Sequence, residues 1–173
     1  MVKKLLLISL LLVELGFLSP TVRAEEYVLP YPSAMPGNYL YKLKLIWEKV
    51  QEFWSFGNFA KFSYNLKESD KYLVEAKTLF EYNQYLLATK ALKKSDEYFS
   101  KIPVFLEAAR KEGKNTENKK TLLGLAAQKH KAVLGKLLGE LPPEFNWQPE
   151  KEKPTLIPIR DLLENSIRIR SLE

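Results

Sequence analysis

A regular apolar stripe between Phe59 and Phe80 restricts the fold of this chain more than any other feature of its sequence. Its members follow one another at alternating spacings of three and four residues: Phe59, Phe62, Leu66, Ser69, Leu73, Ala76 and Phe80. That spacing keeps one side of a helix in contact with a neighbour along its whole length, as in a coiled coil. It therefore predicts a long helix with a nearly antiparallel helical partner.

The segment that follows, residues 84–111, is the predicted partner of this helix. It repeats apolar or small side chains at helical spacing, namely Leu92, Ser95, Phe99, Ile102, Leu106 and Ala109. If the two helices fold back at a turn near residues 82–83, Ser69 faces Ser95, and the two hydroxyl groups can hydrogen-bond each other. Pro103 lacks a backbone donor, so we expect a kink there or a break into two helices.

Two further segments have helical apolar periodicity. Residues 39–55 contain one such stripe: Leu43, Ile46, Trp47, Val50, Phe53 and Trp54. A stripe of this kind is typical of a buried helix face, and we therefore assign these side chains to the core. A platform that stacks on a sugar is the alternative interpretation of the aromatic residues. Residues 116–139 are predicted to form the last long helix, with Leu122, Leu123, Ala126, His130, Val133, Leu134, Leu137 and Leu138 on its apolar side.

Glycine and proline residues mark the C-terminal part of the chain. Gly135 and Gly139 lie four residues apart in the last long helix, where the lack of a side chain permits close approach of a neighbour, so we expect tight packing there. Residues 140–158 contain five of the ten prolines and are predicted to form an extended, poorly packed connector. A short helix at residues 159–171 is expected to end a loosely attached tail.

These patterns predict an all-α fold, an up-and-down antiparallel bundle of three to four long helices. The predicted organisation is a signal peptide at residues 1–24, an extended lead-in at 25–38, the helical bundle at 39–141, and a Pro-rich connector with a short terminal helix at 142–173.

The first 24 residues have the organisation of a cleavable export signal. Lys3 and Lys4 precede an apolar run, and Val22 and Ala24 occupy the positions that a signal peptidase reads. An uncleaved membrane anchor is the alternative, but the apolar stretch of residues 5–18 is shorter than the roughly 20 residues that span a bilayer. A buried cytosolic helix is a third interpretation. The chain has no Cys, which excludes a lipoprotein anchor.

Composition excludes several classes of catalytic and metal site. With no Cys and only His130, the chain cannot build thiolate or multi-histidine metal centres. Glu48 and Glu52 are flanked by Lys44 and Lys49, so we expect a solvated ion-pair face there rather than a divalent-metal site. We expect His130 to pack on a helix face or an interface, because no carboxylate lies near it at helical spacing. We therefore predict no catalytic residue, no cofactor and no metal.

Seven residues are candidates for contact with a partner. Residues 113–139 hold six lysines against one glutamate, which favours an anionic partner, although a solvated helix face is the simpler interpretation. Two aromatic side chains of the connector have no regular element to bury them, and packing onto the bundle is their simpler role. The candidates are Lys119, Lys120, Lys129, Lys131, Lys136, Phe145 and Trp147.

Short motifs resemble those of a known family. They are VLPYP at residues 28–32, Pro36-Gly37, LYKLK at residues 40–44, HKAVL at residues 130–134 and LPPE at residues 141–144. Over about residues 27–144 the chain resembles an uncharacterised bacterial family of exported helical proteins, a domain of unknown function with a VLPYP-type N-terminal motif. The resemblance implies an exported α-helical domain and brings no catalytic residues with it.

The expected function follows from export and from the lack of catalytic groups. We expect a non-enzymatic extracytoplasmic module that binds another envelope protein or an anionic envelope polymer, with no role for nucleic acid and no stable membrane span after signal cleavage. The alternative is the binding of a small ligand or carbohydrate in an aromatic-lined cleft between helices.

Overall fold

The computed structural model describes residues 26–32, 34–151 and 153–171. In this part of the chain the elements are α1 (Leu40–Trp54), α2 (Asn58–Glu81), α3 (Tyr85–Lys111), α4 (Glu117–Glu140), β1 (Phe145–Trp147), β2 (Thr155–Ile157) and α5 (Ile159–Ile169). The predicted all-α bundle is confirmed, with five helices in the described residues where three to four were expected. The predicted signal peptide at residues 1–24 lies outside the described residues.

Helices α2 and α3 form the hairpin that the heptad spacing predicts, and most of the core lies between them. Asn83 adopts a positive φ of 57° in the turn that joins them, close to the predicted centre. Ser69 and Ser95 meet at one level, as expected, but their hydroxyls do not bond each other. Ser95 Oγ donates to the backbone carbonyl of Ser69 at 2.8 Å instead.

Helix α3 is unbroken from Tyr85 to Lys111, so the expectation of two helices at Pro103 is wrong. The residues on either side explain this continuity. Ile102 and Leu106 are both buried in the same apolar cluster, so packing stabilises α3 on both sides of the missing backbone donor, and the kink at Pro103 stays a prediction.

Helix α4 packs against α2, and α5 contacts both α3 and α4. The expected tight packing at Gly135 and Gly139 is wrong: a Cβ atom built at either glycine meets no atom within 4 Å. These glycines lie on exposed positions of α4, away from the buried stripe that includes His130 and Leu134.

The terminal helix is packed onto the bundle, so the expectation of a loosely attached tail is wrong. The connector at residues 140–158 is mostly exposed, but Phe145, Trp147 and Ile157 pack against the core, so the expectation of poor packing is wrong for these three side chains. Strands β1 and β2 pair antiparallel, with Phe145 opposite Ile157. Ile157, Ile159 and Leu163 are 5% exposed or less and belong to the same core cluster as Leu73. The prolines of this segment lie outside the two strands, so they leave the strand hydrogen bonds intact.

Candidate functional site

The apolar stripe of α1 points away from the bundle. Trp47, Phe53 and Trp54 are 57%, 75% and 66% exposed, and Leu43 and Ile46 are each 60% exposed. The assignment of these side chains to the core is therefore wrong. We call this stripe, comprising Leu43, Ile46, Trp47, Phe53 and Trp54, the outer face of α1.

The opposite face of α1 is polar and binds α2. Its residues are Tyr41, Lys44, Glu48 and Gln51, which have the same three-four-three spacing as an apolar heptad stripe. They meet the polar residues that α2 presents at every fourth position: Lys67, Lys71 and Glu75. The contacts run antiparallel, with Gln51 near Lys67, Glu48 near Lys71, and both Tyr41 and Lys44 bonded to Glu75.

Glu48 is the centre of this polar contact and is only 4% exposed. Its carboxylate accepts hydrogen bonds from the hydroxyl of Tyr72 at 2.6 Å and from Lys71 Nζ at 2.9 Å. Lys71 also bonds the carboxylate of Glu68, at 2.8 Å. The expectation of a solvated ion-pair face is therefore wrong for Glu48. Its carboxylate is buried, and it pairs with Lys71 of α2 as well as with Lys44 of its own helix.

The environment of this cluster shifts the ionisation of its carboxyl groups. Burial alone would raise the pKa of Glu48, but the hydrogen bonds from Tyr72 and Lys71 hold that pKa below its ordinary value. Burial raises the pKa of Glu68, and the proximity of Glu48 adds to the effect, while Lys71 opposes it. Burial and the hydrogen bond to Glu48 raise the pKa of Tyr72. Glu48 is therefore held as a carboxylate, which fixes the polar side of α1 onto α2.

A second buried network surrounds His130, which is fully covered. Arg170 Nε donates to His130 Nδ1 at 2.9 Å, so the ring proton resides on Nε2 and is donated to Asp70 at 2.6 Å. The hydroxyl of Tyr27, in the lead-in, donates to the other oxygen of Asp70 at 2.6 Å. Burial lowers the pKa of His130, and the cation of Arg170 contributes in the same direction. The arrangement packs elements together, as expected for this histidine, and leaves it out of contact with solvent.

Arg170 extends this network to α3 and α5. Its side chain is fully buried and bonds Asp96 at 2.5 Å and the hydroxyl of Ser95 at 2.7 Å. Ser166 also donates to Asp96, at 2.6 Å. Among the described residues, every buried side-chain nitrogen and oxygen has a hydrogen-bond partner, and no group of three or more potential metal ligands occurs.

The five candidate lysines do not form one surface. At about 100° per helical residue, Lys129 and Lys136 lie on one flank of the buried stripe of α4, and Lys120 and Lys131 lie on the other. Lys129 pairs with Glu26 at 2.9 Å. The ammonium of Lys119 lies 5.4 Å from the ring centre of Phe62, while Lys120 and Lys136 pair loosely with Glu117 and Glu140. A role for these lysines in partner binding stays a prediction.

Phe145 and Trp147 pack the β-hairpin onto the bundle. Both are half-buried and contact the core cluster that includes Leu73 and Ile157. The ring of Phe145 lies 4.6 Å from that of Tyr85, centre to centre. The simpler of the two predicted roles, packing, is thus observed for this pair.

The sequence contains a signal for the polar side of α1, but the periodicity of apolar residues does not reveal it. Tyr41, Lys44, Glu48 and Gln51 are spaced like core residues, and residues 67, 71 and 75 offer their polar complement in α2. Hydrophobicity alone ranks the other face as buried, because it does not count hydrogen bonds between helices.

Comparison with protein families assigns the chain to a family. The sequence pattern of a domain of unknown function, DUF5667, matches residues 33–144, and the chain belongs to this family. The matched region starts after the VLPYP motif and includes α1 to α4. No curated protein and no solved structure was found to match the chain. Among the helices of the described residues, none combines the length and the apolar character needed to cross a membrane.

Proposed function

We propose that this protein is a non-enzymatic extracytoplasmic module that binds another envelope protein through the outer face of α1. The observation that carries the proposal is the orientation of α1, whose large apolar side chains are in solvent while the Glu48 carboxylate is buried against α2 and Lys44 is half-buried beside it.

The orientation of α1 is costly unless a partner covers it. Burial of a large apolar side chain contributes about 1.5–3 kcal/mol, and the outer face leaves five such side chains exposed. Contiguous exposed apolar surface of this kind marks interaction sites in soluble proteins. The network around Glu48 supports the proposal because it holds α1 in this orientation before a partner binds.

The charges at the border of the outer face favour a protein over a lipid surface. Lys42 and Lys49 are exposed beside the stripe, and Glu52 is exposed on the same helix. A helix that lies in a membrane interface usually has a strongly basic polar face. A mixed-sign rim around aromatic residues is instead the usual composition of a protein interface, where Trp side chains often dominate the binding energy.

A photocrosslinking residue placed at Ile46 tests the partner directly. Ile46 is 60% exposed on the outer face, and Val104, 65% exposed on α3, is a matched control. In intact cells, we expect Ile46 to crosslink to one discrete protein and Val104 to give no such product. Ile46→Lys should abolish a crosslink made from Leu43 without lowering the melting temperature. Equal products from both positions, or binding of the purified protein to lipid vesicles alone, would contradict the proposal.

The extracytoplasmic location is supported by the basic, apolar and small-residue regions of residues 1–24. We expect the native protein, purified from the cells that make it, to begin at Glu25 and to be recovered outside the cytoplasm. Intact-mass measurement combined with fractionation checks this. Recovery from the cytosol with Met1 or Val2 at its N-terminus would show that the segment is not an export signal.

A further inference from the structure

The outer face of α1 belongs to a coiled-coil heptad pattern that occurs twice in succession. Residues 42–48 (KLKLIWE) and residues 49–55 (KVQEFWS) each place Lys at position g, an aliphatic residue at a, an apolar residue at d and Trp at e. Residues at a and d form the contact seam of a coiled coil, and residues at e and g flank that seam. The two heptads supply Lys42, Leu43, Ile46 and Trp47, and then Lys49, Val50, Phe53 and Trp54.

This seam of α1 has no partner helix among the described residues. Leu43 and Ile46 are each 60% exposed and Phe53 is 75% exposed, and no side chain of α1 belongs to either apolar core cluster of the described residues. At about 100° per residue, positions a and d lie on the side of α1 opposite to Glu48, which contacts α2. A second helix can therefore reach the seam without displacing the bundle.

The two flanks of the seam complement each other when two copies of α1 lie parallel. In a parallel pair, Lys42 of one helix lies beside Trp47 of the second copy, and Lys49 lies beside Trp54, because position g of one helix faces position e of the other. An ammonium group over an indole ring is a favourable contact. An antiparallel pair would instead place g beside g, so that lysines face lysines and like charges repel.

We propose that the outer face of α1 binds the same face of a second copy of this chain in a parallel, two-stranded coiled coil. We rest it on the proposed function in one respect, that the outer face is a protein-binding surface. The second copy supplies what the seam requires, namely apolar residues at a and d and a lysine opposite each tryptophan. It covers the surface assigned to the envelope partner, so the two compete for α1.

The structure also explains how so short a coiled coil can form. Isolated helices of this length are marginal in water, but α1 is already folded against α2 through Glu48, so dimer formation does not carry the cost of forming the helix. Two heptads bury little surface, and we therefore expect a weak dimer with a dissociation constant in the micromolar range.

Sedimentation velocity of the purified mature protein, over concentrations that span the micromolar range, tests the dimer. We expect a reversible equilibrium between monomer and dimer. Lys49→Glu places a carboxylate against the electron-rich face of Trp54 of the second copy, and because this contact occurs twice the dimer should weaken about tenfold. In an antiparallel pair the same change would relieve repulsion and strengthen the dimer. Lys93→Glu, at an exposed position of α3, is the matched control and should have no effect.

A single cysteine tests the orientation, because the chain has none of its own. Ile46 occupies a d position, and the two d positions of a layer meet in a parallel pair, so oxidised Ile46→Cys should give a disulfide-linked dimer. Val104→Cys, at a position 65% exposed on α3, is the control and should stay monomeric. In an antiparallel pair a meets d, and a mixture of Leu43→Cys and Phe53→Cys would form the disulfide instead.

Three outcomes would overturn the proposal: a monomer at every concentration, a stronger dimer in Lys49→Glu, or equal weakening by Lys49→Glu and Lys93→Glu. Failure of the dimer and failure of the proposed function are distinguishable by the mass of the product crosslinked from Ile46 in cells. A monomeric purified protein that crosslinks to a different protein would overturn the dimer alone. A dimer that crosslinks only to its own copy would overturn the envelope partner alone.

Discussion

The Arg170 side chain connects several elements of this molecule through its hydrogen bonds. It is the largest of the described side chains that are fully buried, and it contacts Asp96, Ser95 and His130 at hydrogen-bond distance. Its guanidinium can only donate hydrogen bonds, so it determines that Nδ1 of His130 accepts and that Nε2 donates. Arg170 therefore determines which ring nitrogen of His130 in α4 holds the proton.

The buried, neutral state of His130 predicts a loss of stability on acidification. The pKa of His130 is lowered in the folded protein, mainly by burial, whereas the unfolded chain binds the proton near pH 6.5. Below that pH the unfolded state binds more protons, so the free energy of unfolding falls as pH falls, by up to about 1.4 kcal/mol per pH unit. Urea unfolding at a series of pH values from 7.5 to 5.5 measures this slope.

A His130→Gln variant is the control for this pH dependence. Gln can keep one of the two hydrogen bonds but does not titrate, so the variant should be less stable overall and should lack the slope near pH 6. A wild-type slope that persists in His130→Gln would assign the effect to other groups.

The helices of this protein differ in whether the apolar face of the sequence is the face that is buried. In α1 the polar face is the one that binds the bundle, because the contacts of Glu48 with Lys71 and Tyr72 fix the helix. In α4 the buried stripe follows the apolar pattern, yet Gly135 and Gly139 occupy exposed positions where they contribute no contact. Glycine at an exposed helix position is destabilising relative to alanine.

Gly135→Ala should therefore stabilise the protein. The new methyl group meets no atom within 4 Å, and the change should raise the free energy of unfolding by up to about 1 kcal/mol. Thermal unfolding followed by circular dichroism measures the difference. Gly113→Ala is the matched control and should destabilise, because Gly113 has a φ of +78° that alanine rarely adopts. If Gly135→Ala does not raise the free energy of unfolding, Gly135 does not occupy an exposed helical position of α4.

At the scale of the whole molecule, two buried polar networks connect elements that are far apart in the sequence. The first joins α1 to α2 through Glu48, and the second joins the lead-in, α2, α3, α4 and α5 through Asp70 and Arg170. The C-terminal helix is thereby part of the bundle, although the family match ends at residue 144.

Arg170→Met tests this coupling. The variant leaves Asp96 without its cation and Nδ1 of His130 without its donor, so it should lower the free energy of unfolding by about 3–5 kcal/mol. Arg168→Met, two residues earlier and exposed, should change it by no more than about 0.5 kcal/mol. Urea denaturation gives both values. Similar stabilities for the two variants would mean that α5 contributes little to the bundle.

The sequence alone determined the helical hairpin of α2 and α3, its turn, and the meeting of Ser69 with Ser95. These features depend on local periodicity, and a strict spacing of three and four residues permits few alternatives. Only the tertiary structure decided which face of α1 is buried and where Arg170 lies. Both depend on hydrogen bonds between residues far apart in the sequence, such as Glu48 with Tyr72, 24 positions apart, and Arg170 with Asp96, 74 positions apart. A charged side chain is stable in the interior only when such partners surround it, and hydrophobic periodicity carries no information about them.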